Sequence, residues 1–258
     1  MAVHYGLKMA GDVLSIVGML EDAVKTVEEM EARGILLRIM GAIAFRIHCS
    51  SQRHLFEKLD RPVTDIDFMA SARNVTKIVE HFESTGHKLV YGLTGDRKIF
   101  TRPDGMKVDV FLDKLSMCHT IDFEKRLRVD YPTVPLAELL LEKMQIVKIT
   151  EKDLKDVSVL LLEHEVADSD KDTINGAYIA KLLSKDWGFY YTTTTNLDKS
   201  EERSRQFDAI TAAEKAIIHE RIGELRKLIA DEPKSMAWKV RAVTGTKSKW
   251  YRDVEDFE

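Results

Sequence analysis

Arg61-Pro62-Val63-Thr64-Asp65-Ile66-Asp67-Phe68 turns, from Asp65 onward, into a strict alternation of acid and apolar side chain. Residues two apart in a strand share a face, so Asp65 and Asp67 project together while Ile66 and Phe68 go to the other side. The stretch from Asp65 to Met69 is therefore predicted as a half-buried strand. Upstream, Ile35 to Met40 reads as a short apolar strand that stops at Gly41, and Ala42 to Phe56 regains helical spacing. Strand, glycine turn and helix follow one another, and the free N–H groups and positive dipole end of such a helix suit a triphosphate. Gly41 lets that backbone approach closely.

Farther out, Asp12 to Arg33 carries Val13, Leu14, Val17, Leu20, Val24, Val27 and Met30 at helical spacing, with Gly34 as a C-cap. Downstream, Asn74 to Thr85 is predicted helical, and Lys88 to Tyr91, Lys98 to Thr101 and Lys107 to Leu112 read as strands. The last two are joined by Arg102-Pro103-Asp104-Gly105, whose Asp-Gly pair signals a hairpin. That last strand carries Val108-Asp109-Val110-Phe111, a third carboxylate set in apolar surroundings. Three neighbouring aspartates repel, by roughly 1 kcal/mol per pair at about 4 Å even in water. A divalent cation resolves that repulsion, and magnesium or manganese favours such an open, oxygen-only site with positions left for phosphate and water. Two ions held in this way suit in-line displacement at an α-phosphorus.

Beyond Pro135 the expected elements are helices: Leu136 to Ile149, Lys152 to His164, Ile174 to Leu183, one from Trp187, and a last one to Ile229 opening at a Thr211/Glu214 capping box. The expected fold class is thus α/β, a mixed sheet flanked by helices over residues 1–133, followed by a helical domain over 134–258. The formal net charge of −4, from 39 basic and 43 acidic residues, supplies no global attraction to nucleic acid or anionic membrane. Cys49 and Cys118 fit neither a disulfide framework nor a zinc spacing. Met1 to Gly11 lacks the apolar core of a signal peptide, and the apolar runs are too short to span a bilayer. A cytoplasmic protein with no membrane partner is expected.

The order Gly41-Ala42-Ile43-Ala44, Arg61-Pro62-Val63-Thr64-Asp65-Ile66-Asp67-Phe68 and Lys107-Val108-Asp109-Val110-Phe111 resembles the polymerase-β nucleotidyltransferase superfamily. Within it, Pro135 to Lys143 followed by Lys152-Asp153-Leu154-Lys155-Asp156 is similar to the AbiEii branch, which contains toxins of type IV toxin–antitoxin systems. The resemblance spans roughly residues 35 to 160. It implies an enzyme using Mg2+ or Mn2+ and an NTP such as ATP, with Asp65, Asp67 and Asp109 as metal ligands and Gly41 and Ala42 at the triphosphate. It also implies a Lys143 that reaches the active site from the helical domain, and an antitoxin protein as partner. Thr64 belongs to the same motif, and Arg61 either contacts phosphate or pairs with an aspartate. The chain departs from the pattern in having Ala42 where members carry a second glycine or a serine, and in the longer gap from Gly41 to Asp65.

The span Lys234 to Arg252 interleaves Lys234, Lys239, Arg241, Lys247, Lys249 and Arg252 with Trp238, Trp250 and Tyr251, and contains no acid. Such a tail either contacts an RNA acceptor such as tRNA, by neutralising phosphates and stacking on bases, or packs its tryptophans on its own chain. Transfer of a nucleoside monophosphate to a hydroxyl is the leading function. A catalytically idle nucleotide-binding module is the alternative, because of Ala42.

Overall fold

The chain opens on a long helix, α1 (Val3–Ala32), whose Leu20, Ala23, Val27 and Met30 are buried at spacings of three and four, the stripe expected of a helix lying on a core. The computed structural model describes residues 3–92 and 95–254, with side chains from residue 16 onward, so Val13 and Leu14 lie outside the described side chains. After Gly34 follow β1 (Leu37–Met40), α2 (Gly41–His48) and α3 (Arg53–Lys58). Then come β2 (Asp65–Ala70), α4 (Val75–Ser84), β3 (Lys88–Tyr91), β4 (Arg97–Thr101) and β5 (Lys107–Leu112). The expected helix from Ala42 to Phe56 is two helices. The Ser51 hydroxyl and the Gln52 N–H both donate to Glu163 Oε2, at 2.6 and 3.0 Å, where a continuous helix would need that N–H inside its own ladder.

The chain divides into two compact units, the first made of residues 1–47, 63–113 and 123–134. Its five-stranded sheet has the order β1-β2-β5-β4-β3, with β2 and β5 parallel and every other pair antiparallel. The β4–β5 hairpin closes through Arg102 and Met106, and Gly105 takes a φ of +89° that the turn requires. Ile66 and Phe68 of β2 are buried with Val108 and Val110 of β5. Phe82 of α4 stands 6.0 Å from Phe68 and 4.8 Å from Phe100, so α4 covers the sheet face opposite to the one carrying Asp65 and Asp67. Along the outer edge of β1, Ile39 bonds to the chain at Pro132 and Val134, which shields that edge.

The second unit comprises residues 48–62, 114–122 and 135–258. It holds α3, a small hairpin of β6 (Lys114–Ser116) and β7 (Thr120–Asp122), and then α5 (Leu136–Met144) and α6 (Glu151–Glu163). A short parallel pair, β8 (Val166–Ala167) and β9 (Ile174–Asn175), precedes α7 (Gly176–Leu183), α8 (Trp187–Gln206), α9 (Ala212–Asp231) and α10 (Met236–Thr244). The Thr211/Glu214 capping box opens α9 as its sequence requires. Helix α5 stops at Met144, short of Ile149, because Asn196 Nδ2 donates to the carbonyls of Met144 and Ile146 at 3.0 and 2.8 Å. Among the described residues no helix is long and apolar enough to cross a membrane.

Candidate metal and nucleotide site

Sheet register places the acids. Asp67 lies between Met40 of β1 and Asp109 of β5 as the Cα partner of both, and Asp65 is the partner of Lys107. Partners on adjacent strands point to one face, so Asp67, Asp109 and, two residues back, Asp65 share a side of the sheet. Gly41 follows Met40 directly with a φ of +63°, and a Cβ built on it would lie 2.0 Å from Asp67 Oδ2 and 2.9 Å from its Cγ. The glycine turn and the Asp67 carboxylate are thus in intimate contact. Ala42 is buried in the first turn of α2, its carbonyl accepting from Arg46 Nη1 at 3.0 Å, and Thr64 Oγ1 donates to Asp65 Oδ1 at 3.2 Å.

Asp109 is 6% exposed. Its Oδ2 accepts from Arg97 Nη2 at 2.6 Å, and its buried Oδ1 has no hydrogen-bond partner. Burial pushes its carboxyl above the ordinary aspartate range, the Arg97 guanidinium opposes that, and the charge of Asp65 adds to it. Among the described residues no three His, Cys, Asp or Glu side chains are closed around a common point. The donor chemistry nonetheless fits a hard divalent cation: oxygen ligands only, from adjacent strands, one of them a desolvated oxygen lacking a hydrogen-bond donor.

Arg61 and Lys143 belong to the second unit. Arg61 pairs with an aspartate, its Nε and Nη2 reaching Asp156 Oδ1 and Oδ2 at 3.0 and 2.8 Å, a two-point fork in which Asp156 is wholly buried. Lys143 Nζ lies 3.4 Å from Asp153, 3.6 Å from Asp156 and 3.6 Å from Glu142. Burial alone would lower the proton affinity of Lys143, but Glu142, Asp156 and Asp153 outweigh it and hold the ammonium charged. Asp153 also closes the capping box with Thr150 at the start of α6. Asp153 and Asp156 thus share Lys143, while Asp153 also closes a helix end and Asp156 also holds Arg61.

In the tail, the tryptophans turn inward. Trp250 Nε1 donates to Thr192 Oγ1 at 3.1 Å, its ring meets Tyr191 edge-on, and Trp238 meets Tyr190 likewise. Arg241 lies 4.8 Å over the Trp187 ring and donates to backbone carbonyls of Gly245 and Ser248. Lys239, Lys247, Lys249 and Arg252 stay exposed.

Arg97 is the site residue that the sequence pattern alone does not flag. Its signal is the hairpin: counting back from Asp104-Gly105 pairs position 97 with 111 and 99 with 109, which puts Arg97 on the acidic face, diagonal to Asp109.

No family model and no curated protein matches the chain. Among solved structures, 53% of this chain is similar to 92% of the lincosamide antibiotic adenylyltransferase LnuA, bound to lincomycin, at 14% identity and a TM-score of 0.40. The antibiotic-resistance factor ANT(2'')-Ia is similar over 67% of this chain and 95% of its own, at 9% identity and a TM-score of 0.41. An antigenic nucleotidyltransferase-like protein from Paracoccidioides brasiliensis is similar over 64% of this chain and 86% of its own, at 14% identity and a TM-score of 0.37.

Proposed function

We propose that this chain is a nucleotidyltransferase that moves a nucleoside monophosphate from an NTP to a hydroxyl acceptor. The observation that carries the reading is the juxtaposition of Asp67 with Asp109 on adjacent strands, against a glycine turn that opens a helix. In this reading Asp65, Asp67 and Asp109 hold Mg2+ or Mn2+, and the triphosphate lies along the Gly41-Ala42 turn near Thr64. When bound, the metal activates the attacking hydroxyl and neutralises charge on the departing pyrophosphate. The acids fix its position, the N–H groups of α2 face the phosphates, and the buried setting of Asp109 excludes water from one side. The acceptor oxygen bonds to the α-phosphorus, the bond from that phosphorus to the bridging oxygen breaks, and the hydroxyl proton leaves with solvent or a site carboxylate.

Residues 1–133 carry the nucleotide-handling domain and 134–258 the helical domain; Lys143, and Arg61 from the segment 48–62 that belongs to the second unit, are fixed by carboxylates of that helical domain. The acceptor is an RNA such as tRNA, met by Lys239, Lys247, Lys249 and Arg252. The setting is the cytoplasm, in a toxin–antitoxin or phage-defence role with a protein antitoxin as partner. Ala42, which brings no hydroxyl to the turn, favours the second reading, an idle module that binds nucleotide without transfer.

Incubation with Mg2+ and each α-labelled NTP, with and without total tRNA, separates the two. A transferase yields labelled acceptor and pyrophosphate, and Asp67→Ala abolishes both. Binding of nucleotide without pyrophosphate release identifies the idle module.

A further inference from the structure

We infer that Arg97 is a built-in counter-cation for Asp109 that competes with a divalent ion for this carboxylate, so that this one arginine sets how tightly the aspartate trio takes metal. The inference rests on the metal reading proposed above. It starts from register: Arg97 is the Cα partner of Phe111, and Ile99 that of Asp109, so Arg97 stands on the acidic face one step along the neighbouring strand. Its Nη2 reaches Asp109 Oδ2 at 2.6 Å, while the guanidinium carbon lies 5.0 Å from the centre of the Phe111 ring.

The consequence is electrostatic. A metal ion bound to an Asp109 oxygen at about 2.1 Å and a guanidinium nitrogen 2.6 Å from Oδ2 would bring two positive centres to within a few ångströms. Like charges that close, in partly desolvated surroundings, repel more strongly than in water. The two cations therefore compete for Asp109. The Phe111 ring gives the arginine a place to remain: a guanidinium released from Oδ2 keeps its aromatic face contact while the carboxylate turns to metal. Without metal, Arg97 also relieves the repulsion among Asp65, Asp67 and Asp109. One residue thus stabilises the unloaded site and weakens loading.

The test is Mn2+ binding to the full chain, read as free Mn2+ by electron paramagnetic resonance and as thermal melting with and without Mn2+. The parent protein is compared with Arg97→Met and Arg97→Lys. The expected result is a measurable Kd for the parent and one at least about tenfold tighter for Arg97→Met. Arg97→Met should also melt lower without Mn2+ and gain more on its addition, with Arg97→Lys intermediate. Equal or weaker Mn2+ binding by both variants, beside a parent that binds, overturns the inference and leaves the metal site standing. No Mn2+ binding by parent or variants overturns the metal reading, and this inference with it. If Arg97→Met does not fold, Arg97→Lys decides by the same comparison.

Discussion

Gly41→Ala is expected to damage function far more than stability, and the structure gives both sizes. At a φ of +63° an alanine costs about 1–2 kcal/mol in the left-handed region. Its methyl would also lie 2.0 Å from Asp67 Oδ2, so the carboxylate must retreat by about 1.4 Å to reach the ordinary contact distance of 3.4 Å. Rotation of the side chain carries Oδ2 and Cγ away, while Asp67 Cβ, 3.0 Å from the added methyl, must also give by a few tenths of an ångström. In a chain this long the backbone penalty amounts to a fall of about 2–4 °C in Tm per kcal/mol. The displaced Asp67 is a different matter, since misplacement of a catalytic group by about 1 Å can cost about 10²-fold in rate. Gly34→Ala is the matched control: its φ is +70° and nothing lies within 4 Å of the added methyl. Melting curves and transfer of label from an α-labelled NTP should show similar Tm losses in both variants and a rate loss of about 10²-fold in Gly41→Ala alone. Parent-like transfer by Gly41→Ala, or an equal loss in Gly34→Ala, would refute the reasoning.

Three further outcomes follow from other parts of the molecule. Arg61→Met leaves Asp156 wholly buried without its fork and should cost about 3–5 kcal/mol in urea unfolding; a cost below about 1 kcal/mol would mean that Lys143 neutralises Asp156 unaided. His119 is buried against Phe189 with its Nε2 2.8 Å from Thr192 Oγ1, and burial pushes its pKa down to about 4, with Asp186 raising and Arg252 lowering it. Because the unfolded chain then binds more protons between about pH 6.5 and pH 4, stability is full above that window and falls as pH drops through it, by up to about 3 kcal/mol. Urea midpoints of His119→Gln should fall less steeply there, and parallel curves would remove His119 as the cause. Replacing both Lys247 and Lys249 with alanine should lower the salt slope of tRNA binding by about 1 for each phosphate that is no longer neutralised, and an unchanged slope would take the tail out of RNA binding.

The strands and the acidic face were legible because each rests on a short-range rule. Alternation from Asp65 fixed which side chains share a face, and the Asp104-Gly105 turn fixed the β4–β5 register. The mixed order β1-β2-β5-β4-β3 was not legible. The parallel pairing of β2 with β5 joins segments some forty residues apart, and no local pattern in either strand names its partner. Helix ends failed where a distant side chain competed for the backbone, Glu163 at Ser51 and Gln52, and Asn196 at Met144 and Ile146. Asp153 and Asp156 show the same limit at the site. The resemblance marked them only as parts of one motif, and the packed helices reveal that one caps α6 and the other binds Arg61. Arg97 was recoverable from the hairpin register, but an isolated arginine in a strand carries no chemical signature of its own.

The most direct measurement is anomalous diffraction from crystals grown with Mn2+ and a non-hydrolysable NTP. The expected result is a manganese peak at about 2.1 Å from carboxylate oxygens of Asp67 and Asp109, with the triphosphate along Gly41-Ala42 and Arg97 turned away from Asp109. Bound nucleotide with no manganese at these aspartates, or manganese held elsewhere in the chain, would contradict the account.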